Sequence, residues 1–346
     1  MAVSDGWQDK AGVIHVHSRY SDGRGTVEAI VRAAEQAGAE FLILTDHDTL
    51  GALRDGKEGW HGRTLLLVGT EVSPDDGNHY LGIGVHTEVP RDVPPGEYIR
   101  AIADQGGLGF IAHPDYPAQE QYPLKRFPWH DWSVSGYTGM EIWTYTVDWL
   151  TGVTTVWRLI KALAAPLSFV DGPFPETLAR WDALLKAAWA QGRRVVGIGA
   201  QDAHGILYSY RRMFRAVRTH ILIAGGWRHD AEKDKALVLE ALGAGRAFVA
   251  NDLLHDATGF RFTAERGSRH TPMGGVLAVG DGVWLKAQAP VRCRLTLRTP
   301  DGILVETEGE TLAHRVTEPG VYRVEARLLY KGTWRPWVFT NPIYLR

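Results

Sequence analysis

A repeated ending is the feature that most constrains this chain. Within residues 12–205, short apolar runs each stop at an imidazole or a carboxylate: His15-Val16-His17, Asp46-His47-Asp48, Glu71, His113, and Asp202 with His204. Between the runs lie segments of helical period, the mark of βα units around a largely parallel sheet. In a closed parallel sheet the carboxyl ends of the strands face one point, so groups scattered in sequence meet in space. We read seven strands, roughly Gly12–His17, Phe41–Asp46, Leu65–Glu71, His79–Val85, Leu108–Ala112, Met140–Trp143 and Val195–Ala200.

The helices between them have stripes and stops. Val27, Ile30, Val31 and Ala34 form one stripe, entered at Gly25-Thr26 and ended by Gly38. A second helix starts near Pro94-Pro95 and ends at Gly106-Gly107. A third runs from Pro175, with Leu178, Trp181, Leu185 and Trp189 on one side, to Gly192, and a fourth carries Leu237, Val238, Ala241 and Leu242. After about Asn251 the period changes to strict alternation, in 281–298 and again in 321–330, with turns at Pro300-Asp301-Gly302 and Lys331-Gly332. We therefore expect two domains, a larger α/β unit over 1–251 and a small antiparallel β-sandwich over 252–346, a division that suits 346 residues.

Composition narrows the function. Lys and Arg total 38 against 40 for Asp and Glu, which leaves no basic footprint for bulk nucleic-acid or membrane-surface binding. Cys293 is the single cysteine and cannot close an intrachain disulfide, and the first residues lack a charged start and apolar core, so the expected setting is the reducing cytoplasm. No apolar run approaches the roughly 20 residues of a membrane span. The expected partner is a small molecule; the oligomeric state is left open.

The chemistry lies in the strand endings. His15 and His17, two apart on a strand, project to one face and can grip one cation. In Thr45-Asp46-His47-Asp48-Thr49 an imidazole sits between two carboxylates, either as a solvated turn or as a ligand with a carboxylate to orient its ring. Glu71 ends an apolar strand, as an exposed cap or as a bridge between cations. His79 opens the next strand, His113 sits in Ala112-His113-Pro114, and Asp202-Ala203-His204 repeats the spacing of the first motif. Glu141, in Gly139-Met140-Glu141-Ile142-Trp143, is read as a supporting or structural carboxylate. The aromatic stretch 116–157, with Trp129, Trp132, Tyr137, Trp143, Tyr145 and Trp149, is either ordinary core or a lid with flat apolar walls. Arg19, Lys125, Arg126, Arg211 and Arg212 are candidate phosphate clamps or simply solvated cations.

In order and spacing, His15-x-His17 with Asp22, Thr45-Asp46-His47-Asp48, Gly69-x-Glu71, His79, Ala112-His113-Pro114 and Asp202-x-His204 resemble the motifs of the PHP (polymerase and histidinol phosphatase) family of metal-dependent phosphoesterases. Gly245-Arg246-Ala247-Phe248-Val249 and Phe339-Thr340-Asn341-Pro342-Ile343-Tyr344 are similar to the branch with a C-terminal β-domain, which includes carbaryl-hydrolase-like metallohydrolases. The resemblance implies a distorted (β/α)7 TIM-like barrel with a C-terminal antiparallel β-sandwich, and a cluster of two or three divalent cations. Carried over, His15, His17, Glu71 and Asp202 hold the first metal, Glu71, His79 and His113 the second, and Asp22, His47 and His204 the third. Imidazole and carboxylate without thiolate suit Zn, Mn or Fe.

Three dications set against Asp22, Glu71 and Asp202 leave a charge of about +3, a site that favours an anion. The implied reaction is hydrolysis of a small phosphoester, with a nucleotide as the leading case. The nucleophile is a metal-bound hydroxide, and Asp202, His204 and Glu71 are the catalytic residues. Arg19, Trp143 and Tyr145 are the expected substrate contacts. The family's usual Arg soon after Ala-His-Pro is replaced here by Asp115-Tyr116. A carboxylic or carbamate ester on the same cluster is the alternative, and a non-catalytic scaffold, which lost ligands would mark, is the third reading.

Overall fold

The computed structural model describes residues 6–116, 126–153, 155–164, 169–206 and 208–346. The chain opens with β1 (Trp7–Ile14), α1 (Val27–Ala37), β2 (Phe41–Leu44), α2 (Gly51–Arg54), β3 (Gly59–His61), β4 (Thr64–Val68), β5 (Thr70–Val72) and β6 (Tyr80–Ile83). It continues through α3 (Pro95–Asp104), β7 (Leu108–Ile111), β8 (Gly139–Thr144), α4 (Tyr145–Gly152), α5 (Val156–Ala164), α6 (Pro175–Ala190) and β9 (Val196–Ala200). Next come α7 (Tyr210–Met213), β10 (Val217–Ala224), α8 (Ala231–Ala244) and β11 (Ala247–Asn251). The strands of the final segment are β12 (Arg261–Arg266), β13 (Arg269–Pro272), β14 (Val276–Leu277), β15 (Val283–Thr299), β16 (Gly302–Val316), β17 (Gly320–Tyr330), β18 (Thr333–Thr340) and β19 (Ile343–Leu345).

The helices form where caps and stripes require them. Thr26 accepts from Ala29 N at the start of α1, Gly38 ends it at φ +78°, and Val27, Ile30, Val31 and Ala34 are its buried face. Pro95 and Pro175 open α3 and α6 at positions that need no N–H donor.

Around the site the strands neighbour one another in a circuit. β1, β2 and β4 are parallel. β4 bends through Gly69 into β5, where a Cβ at Gly69 would lie 2.3 Å from the Gly82 carbonyl oxygen, so only glycine fits. β5, β6 and β7 are antiparallel, and β7, β8 and β9 parallel. Gln201 N donates to Ile14 O (2.9 Å) and His17 N to Ala203 O (3.0 Å), which returns the path to β1.

The largely parallel arrangement expected from the pattern therefore breaks at β6. Only residues 73–79 join β5 to β6, too few for a crossover, so the connection must be a hairpin. That reversal has a consequence for the site, because it puts the start of β6, and His79 with it, at the rim where the other strands end.

Alternate residues of the circuit, Ile14, Phe41, Ile43, Leu65, Leu67, Leu81, Ile83, Phe110 and Ile198, pack in one cluster with Val238, Ala241 and Leu242 of α8. The intervening Val13, Leu42, Leu44, Leu66 and Val68 join α1 in another. Burial on both faces is why these strands read as unbroken apolar runs, and each such side chain adds roughly 1.5–3 kcal/mol.

β10 and β11 were absent from the seven strands read in the sequence. β10 pairs antiparallel with β1 and with β11, and β11 pairs with β18, so one sheet runs from the circuit into the C-terminal segment. There the strands are antiparallel. The first half of β15 lies between β12 and β16 and its second half between β16 and β17. Among the described residues no helix is long and apolar enough to cross a membrane.

Candidate metal centre

The site begins where the strands stop. β1 ends at Ile14, and His15 leaves it at φ +67°; His113 (+25°), Asp202 (+50°) and Asp48 (+52°) are also in positive-φ conformations. Such backbone costs on the order of 1–3 kcal/mol per residue and persists only where its surroundings enforce it. Here the enforcement is visible: Ala203 N bonds His15 O (3.2 Å) and His113 N bonds Glu141 Oε2 (2.9 Å). The pairing of His15 with His17 thus does not come from the pleat of a strand. It comes from a kink, after which both Nε2 atoms face the same carboxylates.

Glu71, fully buried, is the hub. Its Oε2 lies 3.2 Å from His15 Nε2, 3.4 Å from His17 Nε2 and 3.0 Å from His47 Nδ1. Its Oε1 lies 3.0 Å from His79 Nδ1 and 3.1 Å from His113 Nε2. Asp202 Oδ1 is 3.5 Å from His15 Nε2, 3.4 Å from His17 Nε2 and 3.5 Å from His204 Nδ1. Asp22, the most exposed member, has Oδ2 3.2 Å from His204 Nε2 and Oδ1 3.6 Å from His47 Nε2. Among the described residues, three groups have ligand atoms within 4.8 Å of one another: His17 with Asp22, His47 and His204; His15 with His17 and Asp202; and His15 with Glu71 and His113. His79 joins through Glu71.

Neighbours aim these rings. Glu141 Oε1 sits 2.6 Å from His15 Nδ1, while its Oε2 accepts from His113 N and Thr144 Oγ1. Ser73 Oγ donates to the Glu71 carbonyl and so accepts from His47 Nδ1 at 2.6 Å. The Pro74 carbonyl takes His79 Nε2–H at 3.2 Å. Each partner fixes a tautomer and leaves the other nitrogen bare toward the cluster. Asp46 is a clamp: it accepts from Ser18 N, Ser18 Oγ and Ser21 Oγ, each at 2.7 Å, and so holds the loop that carries Asp22. Gly23 belongs to that loop because a Cβ there would lie 2.1 Å from His17 O.

The cluster does not satisfy itself. His15 Nε2, both nitrogens of His17, Glu71 Oε2 and His113 Nδ1 are buried without a hydrogen-bond partner among the described residues. Nitrogen and oxygen come within 3.2–3.5 Å yet point at shared places rather than at each other. Each buried polar atom left so costs about 1–3 kcal/mol, and a cation at the shared places would relieve several at once. The donor set therefore fits divalent metal.

Ionisation follows the same field. Burial drives His15 down, but Glu71, Glu141 and Asp202 outweigh it and raise its pKa well above the usual value. For His17 burial is the largest influence and prevails: Asp202 and Glu71 push its pKa up, His204 and His47 push it down, and the net value falls to about 3. Burial opposes ionisation of Glu71 and Asp202, yet the surrounding imidazoles hold both well below the carboxylate range. For His204 burial is overcome by Asp22 and Asp202, which raise it to about 9.

A cleft of about 500 Å3 opens over the cluster, walled by Tyr116, Phe127, Tyr145, Trp149, Ile206 and Tyr208 among others. Tyr145 is on this wall, whereas Trp143 faces away: its ring packs edge-on against Phe339 at 5.8 Å and its Nε1 donates to Asp148. Trp129 and Tyr137 are core. Arg19 is exposed, outside the cleft lining, and donates to Arg24 O. Arg212 stacks on Tyr208 at 4.6 Å, and Lys125 lies outside the described residues. Ser73, Phe127, Ile206 and Tyr208 were not singled out in the sequence. Nothing marks a serine or an apolar side chain as part of a site before the fold brings it there.

No family model matches the chain. Over 83 residues it is 39% identical to a phosphoribosyl 1,2-cyclic phosphate 1,2-diphosphodiesterase of Eggerthella lenta, covering 22% of this chain and 32% of that protein. Over 82 residues it is 42% identical to a 3',5'-nucleoside bisphosphate phosphatase of Chromobacterium violaceum, covering 22% of this chain and 28% of the relative. These two matches span about a third of the length of each of these relatives. A crystal structure of a Bacteroides vulgatus two-domain protein, described as containing a predicted PHP-like metal-dependent phosphoesterase, aligns over 98% of this chain and 96% of its own, with 17% identity and a TM-score of 0.47.

Proposed function

We propose that this PHP-like chain is a metal-dependent hydrolase of small phosphoesters. The observation that carries the reading is the set of buried ligand atoms around Glu71 that find no hydrogen-bond partner among the described residues. We assign His15, His17, Glu71 and Asp202 to one ion, Glu71, His79 and His113 to a second, and Asp22, His47 and His204 to a third, with two to three Zn, Mn or Fe ions per chain. We also read the strand circuit as the distorted (β/α)7 barrel of the family, the antiparallel segment as a β-sandwich, and the division as 1–251 and 252–346. The lone, buried Cys293 supports a reducing, cytoplasmic setting.

Divalent ions at these positions would offset phosphoryl charge and acidify a water molecule. The protein's own groups do the rest. Glu141, Ser73 and the Pro74 carbonyl orient His15, His47 and His79. Asp202, which presents Oδ1 to three imidazoles and lines the cleft, is the group we assign to proton handling, while His204, also in the cleft lining, is a neutral imidazole whenever it holds an ion and serves there as a ligand rather than as an acid.

A carboxylic or carbamate ester on the same cluster is the second reading. Two observations favour it: Asp115-Tyr116 after Ala112-His113-Pro114 in place of Arg, and an apolar cleft whose described lining contains no Lys or Arg. A metal count on chelator-free protein, run with an ester panel, separates the readings. We expect two to three ions per chain, higher kcat/KM on nitrophenyl phosphate or bis(nitrophenyl) phosphate than on nitrophenyl acetate, and competitive inhibition by inorganic phosphate. One ion or fewer in stable protein would remove the cluster. A clear win for acetate or carbamate esters without phosphate inhibition would make the second reading the right one.

A further inference from the structure

The cleft says more about the organic half of the substrate than the metal site does. Its walls are aromatic on both sides of the cluster. On one side Phe127 stacks on His79 at 4.5 Å and 23°, and Tyr116 stands edge-on to His113 at 6.4 Å. On the other, Tyr145 and Trp149 lie four apart on α4 and so share a face, and Tyr208 meets Trp149 edge-on at 4.7 Å. Ile206 stands at the rim, 61% exposed. A volume of about 500 Å3 is within the range of small-molecule sites and larger than one phosphoryl group needs.

Charge is distributed as unevenly as shape. The described lining contains Asp22, Glu71 and Asp202 but no Lys or Arg. One phosphoryl group would be neutralised by ions held at the cluster, whereas a second, further up the cleft, would meet no Lys or Arg of the described lining, since Arg212 lies over the Tyr208 ring at 4.6 Å and outside that lining. A sugar or polyol could pair a hydroxyl with Tyr145 Oη or Trp149 Nε1, which have no hydrogen-bond partner among the described residues, but its remaining hydroxyls would lie unpaired against the aromatic faces, which is costly for a desolvated polar group.

We infer that this site, on the phosphoesterase reading above, selects an ester bearing a single phosphoryl group on a flat apolar alcohol, such as a phenol or benzyl alcohol, over glycerol phosphate and over nucleoside bisphosphates. The walls supply stacking and apolar burial that a small aliphatic group cannot use, worth about a tenfold preference in binding.

The test must not be confused by leaving-group reactivity, which by itself speeds hydrolysis of aryl esters. Binding of uncleavable analogues to the metal-loaded full chain avoids this. Calorimetry with benzylphosphonate, methylphosphonate and adenosine 3',5'-bisphosphate should give Kd values rising in that order of mention, with the first about tenfold below the second. Trp149→Ala and Tyr208→Ala should erase most of the difference between the two phosphonates while leaving the methylphosphonate Kd within about twofold. Phosphonates of equal affinity, or a bisphosphate that binds tightest, would overturn the inference even if either variant fails to fold. A parallel ester panel keeps the two claims apart. Hydrolysis of phenyl and glycerol phosphates alongside equal phosphonate affinities sinks the apolar selectivity alone, whereas binding without turnover of any phosphoester removes the phosphoesterase reading on which it rests.

Discussion

His15 and His220 are both fully buried imidazoles set among carboxylates, and the protein treats them in opposite ways. His220, on β10 where the circuit meets the C-terminal strands, has Nδ1 2.9 Å from Asp9 Oδ1 and Nε2 3.0 Å from Asp252 Oδ2. The network around it closes: Asp9 Oδ2 accepts from Gly259 N, and Asp252 is also met by Arg218 and Ala257 N. At His15 the outer nitrogen is answered by Glu141 while the inner one has no hydrogen-bond partner among the described residues. Burial penalises both rings, so a nitrogen left bare next to Glu71 and Asp202 is affordable only if something outside the chain completes it. The seam is built to be finished by the protein, and the strand ends are built to be finished by a cation.

The sharpest way to break this contrast is to remove members of the open cluster. His15→Ala, Glu71→Ala and Asp202→Ala should each lower bound metal, counted by elemental analysis, and depress kcat/KM by about a thousandfold or more, the equivalent of several kcal/mol of lost charge stabilisation. His61→Ala and His86→Ala should change neither. Equal losses at all five positions would mean that the cluster around Glu71 is not the site. The closed network should fail differently. His220→Ala leaves Asp9 and Asp252 facing each other across a cavity, which should cost about 3 kcal/mol of folding stability by denaturant titration, with metal content per folded chain unchanged. Loss of metal from this variant would show that seam and site are not separate.

Glu141 stands between the two cases, a buried carboxylate that closes one side of an open ring. Glu141→Gln keeps the shape but weakens the acceptor for His15 Nδ1–H and the hold on His113 N and Thr144. Metal affinity, read by competition with a chelator, should fall by about 10–100-fold, less than for a direct ligand. An unchanged affinity would reduce Glu141 to a packing role.

What could be read in the sequence follows the same division. His, Asp and Glu at strand ends carry their chemistry in their identity, so most of the candidate ligands were visible as a pattern before any fold, while Asp22 and the full set of nine came with the resemblance to the PHP motifs. The supports were not: Ser73 and Ser18 act through one hydroxyl each, and Asp46 reads as one more candidate until Ser18 and Ser21 are seen to occupy it. Trp143 and Tyr145 looked equivalent in the aromatic stretch. β8 ends at Thr144 and α4 begins at Tyr145, so side chains two apart fall on different sides, one toward Phe339 and one toward the cleft. β10 escaped notice because Val217-Arg218-Thr219-His220 carries polar residues that only the seam explains. The reversal at β6 was legible in principle, in the seven residues between Glu71 and His79 that hold Pro74-Asp75-Asp76-Gly77 but no helix.

The closed network also serves as a pH gauge. Burial lowers the pKa of His220, but Asp252 and Asp9 overcome it and lift the folded value to about 10, against about 6.5 in an unfolded chain. A pKa raised on folding means that the native state holds a proton the unfolded state has released. The stabilisation is then fully present below about pH 6.5, declines as pH rises, and is gone above about pH 10. Between those limits one proton is at stake, so stability should fall by at most about 1.4 kcal/mol per pH unit. Other groups titrate in this window too, and comparison with His220→Gln removes them. The denaturant midpoint of the natural protein should approach that of the variant as pH climbs from 7 to 10. A gap that stays constant or widens over that range would mean that His220 is neutral in the folded protein, and that the seam is closed by hydrogen bonds alone.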